Sequence, residues 1–89
     1  MLGEMGLDLK SKIILVTGGG SGIGLEFARQ LVALGNTVII CGRDSDKLGA
    51  AARETGAQAI AGDVTRAEDQ DRILSEIRTQ HGRLDLLIN

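Results

Sequence analysis

Three features of this 89-residue chain predict an α/β fold on one parallel sheet, with strand order 3-2-1-4 and three crossover helices. Short apolar runs, Ile13-Ile14-Leu15-Val16 and Val38-Ile39-Ile40-Cys41, alternate with segments whose apolar residues recur every three or four positions. A glycine-rich turn, Gly18–Gly24, joins the first run to the first helical segment. Gly35, Gly56 and Gly82 then stop the helical segments one after another. With the first two crossovers running one way and the third returning, the sheet's switch point falls between strands 1 and 4. Ligands bind beyond the carboxyl ends of the strands at such a point.

The first strand is read over Lys12–Thr17, a buried β-branched run ended by glycines. A helix follows from about Gly22 to Leu34, with Ile23, Phe27, Leu31 and Leu34 as its expected inner stripe, and Gly35-Asn36 closes it with a left-handed cap. Thr37–Cys41 is the second strand. Asp44 or Ser45 caps a second helix running to about Glu54, weakened by Gly49 in its interior. Gly56 ends it, and Ala57–Ala61 is a short third strand. Thr65-Arg66-Ala67-Glu68 has the spacing of a capping box, and Asp69 adds negative charge to the first turn of the third helix. That helix carries Ile73, Leu74 and Ile77 inward, and Arg78 and His81 near the negative end of its dipole. Leu84–Ile88 is the fourth strand.

Composition excludes several classes of function. Ten Lys and Arg against twelve Asp and Glu give a net charge of −2 with no basic run, which argues against nucleic-acid binding by phosphate neutralisation. The longest apolar runs are four residues, whereas a membrane span needs about 20. Met1–Leu9 carries acids and glycines where a signal peptide has a basic and then an apolar segment, so the expected location is cytoplasmic. A single cysteine allows no internal disulfide, Cys41 is expected to pack as a small apolar residue, and no zinc-ligand spacing occurs. Residues 1–8 are read as a flexible segment and residues 9–89 as the domain. A chain of this length buries only about 60–65% of its unfolded surface, so stability is expected to be marginal without a ligand or partner.

The strongest motif is Thr17-Gly18-Gly19-Gly20-Ser21-Gly22-Ile23-Gly24 between a strand and a helix. A pyrophosphate needs free backbone N–H groups at a helix N-terminus, where the dipole favours negative charge and side chains are out of the way. Gly18 permits the tight turn, Gly22 lets the backbone approach, and Gly24 lets the helix pack closely on the strand. A glycine pattern alone is weak, but its placement between a strand and a helix, with a second strand at the right distance, points to a dinucleotide in a Rossmann-like half-fold.

The glycine spacing, G-x3-G-x-G, resembles the TGxxxGIG fingerprint of the short-chain dehydrogenase/reductase family. Asp63-Val64 after the third strand resembles that family's adenine-contacting pair. Leu84-Asp85-Leu86-Leu87-Ile88-Asn89 resembles the approach to its Asn-Asn-Ala-Gly motif. The resemblance runs from Leu9 onward and covers the cofactor-binding half of the family's fold. It implies that Gly18, Gly20, Ser21, Gly22, Ile23, Gly24, Asp63, Val64 and Asn89 face a nicotinamide dinucleotide. For Asp63, an ordinary turn residue bonding nearby N–H groups is an equal reading.

Cofactor choice is read at the end of the second strand. NAD binders place an acid there for the ribose 2′-hydroxyl, but this chain has Cys41-Gly42-Arg43. An acid repels a 2′-phosphate, whereas Arg43 can pair with one, and Ser21 can add a hydroxyl. NADP(H) is therefore favoured over NAD(H). The competing readings are a solvated Arg43 beside a capping Asp44, or an Asp44 turned inward toward a ribose.

The resemblance further implies a catalytic Ser, Tyr and Lys beyond the Asn-Asn-Ala-Gly motif. This chain contains no Tyr, and Lys10, Lys12 and Lys47 lie on the wrong elements to substitute. The expectation is a truncated, NADP(H)-binding N-terminal half of a short-chain oxidoreductase, inactive in isolation. The alternative is a stand-alone, non-catalytic module that binds a nucleotide or self-associates. Strand 4 would then present a bare edge and apolar surface, predicting a homodimer or higher oligomer.

Overall fold

The computed structural model describes residues 10–89; the expected flexible segment, residues 1–8, lies outside them. Seven elements alternate along the chain: β1 (Ile13–Thr17), α1 (Gly22–Ala33), β2 (Thr37–Gly42), α2 (Ser45–Thr55), β3 (Gln58–Ala61), α3 (Ala67–His81) and β4 (Leu86–Ile88). The four strands form one sheet in the order β3-β2-β1-β4, as the alternation predicts. All three pairings are parallel, with Ile14 opposite Val38 on one side and Leu86 on the other.

Alternation along each strand sends residues to opposite faces of the sheet. Ile14, Val16, Val38 and Ile40 join Ala28 and Leu31 of α1 and Leu48 and Ala51 of α2 in one core layer. Ile13, Leu15, Ile39, Cys41 and Ile60 meet Ile73 and Ile77 of α3 in the other. The sheet is thus covered by two helices on one face and one on the other. None of the helices is long and apolar enough to cross a membrane among the described residues.

The helix ends follow from local chemistry. Gly35 adopts φ 95° after α1; its N–H donates to Val32 O and that of Asn36 to Leu31 O, which closes a Schellman motif. The buried Asn36 side chain donates to Leu31 O at 2.9 Å and accepts from Lys12 N at 3.1 Å, tying the end of α1 to the start of β1. Asp44 caps α2, its Oδ1 accepting from Lys47 N at 3.1 Å.

Four sequence expectations need correction. The stripe on α1 is not Ile23-Phe27-Leu31-Leu34: the fully buried residues are Ala28 and Leu31, and Ile23 is 78% exposed. At 100° per residue, Ile23 stands about 110° around the helix from the face that Ala28 and Leu31 share, which leaves it in solvent. On α3, Ile73 and Ile77 are buried but Leu74 is 42% exposed, because α3 is the lone helix on its face. The Thr65–Glu68 capping box does not form. Arg66 is the N-cap residue, Thr65 Oγ1 donates instead to Asp63 Oδ1 at 2.6 Å, and Asp69 reaches back to Asp63 N at 2.7 Å. Finally, β4 begins at Leu86 rather than Leu84. The Asp85 carboxylate takes the Ile13 N–H at 2.8 Å, so a side chain does there what a strand carbonyl would do.

Candidate functional site

The carboxyl ends of β1, β2 and β3 carry the loops singled out by the sequence. Two backbone bonds tie these loops together: Gly18 N donates to Cys41 O at 3.0 Å, and Gly62 N to Gly42 O at 2.9 Å. Gly18 and Gly22 have φ of 70° and 61°, which a side chain resists, so the turn's shape depends on glycine at both. Gly24 is required for a different reason. A Cβ there would fall inside the contact shell of the Gly18 carbonyl oxygen and 3.0 Å from its carbon, so the first turn of α1 lies directly on the strand-exit turn.

Gly19, which the sequence reading did not single out, faces the same constraint. Its absent Cβ would collide with the Ile40 side chain, so the turn lies flat on β2. Gly20 is under no such demand, since a Cβ there would meet only Leu48 and Lys47 at 3.8 and 3.9 Å. Ser21 sits at the N-cap of α1 in extended conformation and makes no side-chain cap bond, and no acid lies in the first turn. The first N–H groups of α1 therefore keep their positive end unneutralised by the helix's own side chains.

Next to that turn lies a cleft of about 300 Å³ lined by Gly18, Gly20, Ser21, Gly42, Arg43, Asp44, Lys47 and others. The structure thus brings together the glycine turn and the end of β2, as predicted, and adds Lys47. Asp44 also lines the cleft, and its Oδ1 accepts the Lys47 N–H as the α2 cap. Arg43 and Lys47 have no ion-pair partner among the described residues. Cys41 packs in the sheet's core, and burial pushes its thiol pKa up.

Asp63 and Val64 follow β3. Asp63 Oδ1 accepts from both Thr65 N and Thr65 Oγ1, which makes it a turn residue of the kind the sequence allowed. Those bonds, with the Arg43 and Arg66 charges adding to them, hold its carboxyl below the usual range. The loop is held from α3: Gln70 Nε2 donates to Val64 O at 2.5 Å and Arg72 Nη2 to Ala61 O at 2.7 Å. Val64 and Asn89 line a largely apolar groove with Leu15, Leu74 and Leu87, separate from the Arg43 cleft.

Ile23 and Asn89 share a third depression with Gly24, Phe27 and Ile88, at the gap between β1 and β4. Thr17 Oγ1 donates to Asn89 Oδ1 at 3.0 Å across that gap. The ten candidate residues therefore surround the carboxyl end of the sheet rather than one pocket. No group of three or more potential metal ligands occurs among the described residues.

Comparison with known proteins agrees with this arrangement. Residues 12–89 match the family model for short chain dehydrogenases. The chain is 41% identical to an L-fucose dehydrogenase of Bos taurus, over 96% of this chain and 32% of that protein. It is 38% identical to a peroxisomal 2,4-dienoyl-CoA reductase of Arabidopsis thaliana, over 91% of this chain and 29% of that one. A crystal structure of a short chain dehydrogenase from Bacillus anthracis superposes with a TM-score of 0.85 at 31% identity, covering 89% of this chain and 35% of that one. A short-chain type dehydrogenase/reductase from Mycobacterium ulcerans does so with a TM-score of 0.85 at 36% identity, covering 91% and 32%. The chain spans about a third of the length of the proteins it matches. In sequence and in fold, this chain belongs to the short-chain dehydrogenase family.

Proposed function

We propose that this chain is the NADP(H)-binding N-terminal half of a short-chain oxidoreductase, without catalytic activity as the isolated 89 residues. The observation that carries the reading is the uncapped first turn of α1 opening beside a cleft whose two cations make no ion pair among the described residues. The residues fit the cofactor: Gly18 to Gly24 leave a backbone surface for a pyrophosphate, and Ser21 and Arg43 suit a 2′-phosphate. The family resemblance assigns Asp63 and Val64 to adenine, and Ile23 and Asn89 border the depression beyond β1 and β4.

When bound, the nicotinamide ring supplies or accepts a hydride. This chain's own part is to bind and orient the dinucleotide. It has no Tyr to serve as the proton donor that the family resemblance implies. The two named relatives act on unlike compounds, a sugar and the carbon–carbon double bonds of a dienoyl-CoA, so from them we carry over hydride transfer alone; a carbonyl or alcohol as the reacting group comes from the family resemblance.

Calorimetric titration with NADP⁺ and NAD⁺ tests this reading. Saturable binding that favours NADP⁺ is the expected result. Equal binding of the two would refute the 2′-phosphate assignment, and absence of binding by a folded sample would refute the cofactor site in this chain.

A second reading has its own observation. β4 is paired on one side only, and Leu86 and Leu87, on opposite faces of that edge strand, are 38% and 50% exposed. We infer self-association of two copies through this edge, which adds strand pairing and covers both leucines. Sedimentation equilibrium should show a dimer or larger species, weakened in Leu87→Lys. A well-folded monomer at high concentration would refute it.

A further inference from the structure

We propose that Lys47 is a second cation of the Arg43 cleft, and that the two together select a phosphomonoester dianion there. This inference rests on the NADP(H) reading and adds a specificity-determining residue to it.

Charge is the first reason. The charged residues lining the cleft are Arg43, Asp44 and Lys47. The Asp44 carboxylate, which caps α2, lies beside Arg43 in the chain, so by itself Arg43 would only balance its charge. A cleft lined by one cation and one anion offers a dianion no net attraction. Lys47 supplies the excess positive charge. A further carboxylate, Asp63, acts on Arg43 from the β3 loop and deepens that need.

Position supports the same conclusion. Lys47 lies in the first turn of α2, and the bond from its N–H to Asp44 fixes its backbone relative to the end of β2. Its stem passes Gly20: a Cβ on Gly20 would lie 3.9 Å from Lys47 Cγ. The Lys47 stem therefore lies beside the glycine turn, and the residue lines the cleft. A buried structural role does not account for it, since Lys47 is exposed and makes no ion pair among the described residues. A guanidinium fork and a flexible ammonium approaching from different elements suit three phosphate oxygens better than either alone.

The test uses 2′,5′-ADP and 5′-AMP, which differ only in the 2′-phosphate, titrated calorimetrically against the 89-residue chain and its variants. The readout is the ratio of the two affinities. Lys47→Met, which keeps the stem, should lower that ratio about tenfold, the effect of losing one charge-assisted contact. Lys47→Arg should restore most of it. Arg43→Gln should lower the ratio as well, and the double variant should lose less than the product of the two single effects, because both cations meet one group. Thermal unfolding of each variant checks that the fold is kept.

If Arg43→Gln lowers the ratio and Lys47→Met does not, the Lys47 assignment is overturned while the NADP(H) reading stands. If the parent chain does not distinguish the two ligands, or binds neither, the NADP(H) reading itself fails and this inference with it. A Lys47→Met variant that weakens both ligands equally overturns the specificity role.

Discussion

Replacing Gly24 with Ala separates what the fold demands of the glycine turn from what a ligand demands. Gly24 does not have a positive φ, so the backbone itself tolerates Ala. The obstacle is space: the new Cβ would press on the Gly18 carbonyl oxygen, with the Gly18 carbon at 3.0 Å and Gly19 Cα at 3.3 Å. All three are backbone atoms, held by the Gly18 N–H to Cys41 bond, and cannot swing aside as a side chain would. Overpacking of this kind costs about 1–3 kcal/mol. Ala gains up to ~1 kcal/mol over Gly in a helix, which offsets part of that. The net loss is about 1–2 kcal/mol, and for a domain of this size it lowers the thermal midpoint by roughly 5–15 °C.

Gly20→Ala is the matched control, because its Cβ would make only ordinary contacts at 3.8 and 3.9 Å. It should leave the midpoint within about 2 °C of the parent and weaken NADP⁺ about tenfold by placing a methyl group where the backbone meets the ligand. The assay is thermal unfolding followed by circular dichroism, with calorimetry for binding. A Gly24→Ala chain as stable as the parent, or a Gly20→Ala chain equally destabilised, would refute the steric account of the turn.

Asp85 should contribute to an acid limb in stability. The Ile13 N–H, then Arg83, holds its folded pKa below the ordinary value, so its contribution is present above about pH 4 and fades as pH falls through the lower folded pKa. Asp85→Asn keeps an acceptor for Ile13 but cannot titrate, so its thermal midpoint should fall less steeply in acid; a parallel fall would refute this. Asp69→Ala removes the acceptor of the Asp63 N–H and should speed amide exchange at Asp63 and Thr65 without affecting β1, whereas unchanged protection would show that Gln70 and Arg72 suffice to hold the loop. Cys41, buried and with its thiol pKa raised, should react with a thiol reagent only as fast as the sheet opens, while immediate labelling of the folded chain would contradict its burial.

The sheet order, the seven elements and the glycine turn were legible because each is written locally, in β-branched runs, helical spacing and glycine stops. What the sequence concealed depends on contacts between distant residues. Gly19 is required by Ile40, 21 positions away, and no pattern around Gly19 announces that. Thr65 and Glu68 have the spacing of a capping box, but α3 starts one residue later, with Arg66 at its N-cap, and the Thr65 hydroxyl donates to Asp63. On α1, apolar spacing favours the large residues Ile23 and Phe27, and nothing in it shows that the small Ala28 is the one buried with Leu31. In the sequence, Lys47 attracts notice only as a lysine on the wrong element for catalysis. Its place three residues after a capping aspartate, just past the end of β2, was the available signal that it faces the cleft.

Main-chain bonds fasten the sheet at both ends. At the amino end these are Ser11 to Gly35, Thr37 to Lys12 and Asp85 to Ile13, and side chains add to them: Asn36 to Lys12, Asp85 to Ile13 and Arg83 to Ser11. At the carboxyl end, the strand exits of β1, β2 and β3 are joined by Gly18 to Cys41 and Gly62 to Gly42. A main-chain bond survives most changes of side chain. Arg43 and Lys47 take no part in either set, so the strands beneath them stay fastened whichever residues stand there, whereas replacing Asn36 with Ala removes a tie. The charge of the Arg43 cleft is thus free to drift in evolution over a sheet whose fastening does not depend on it.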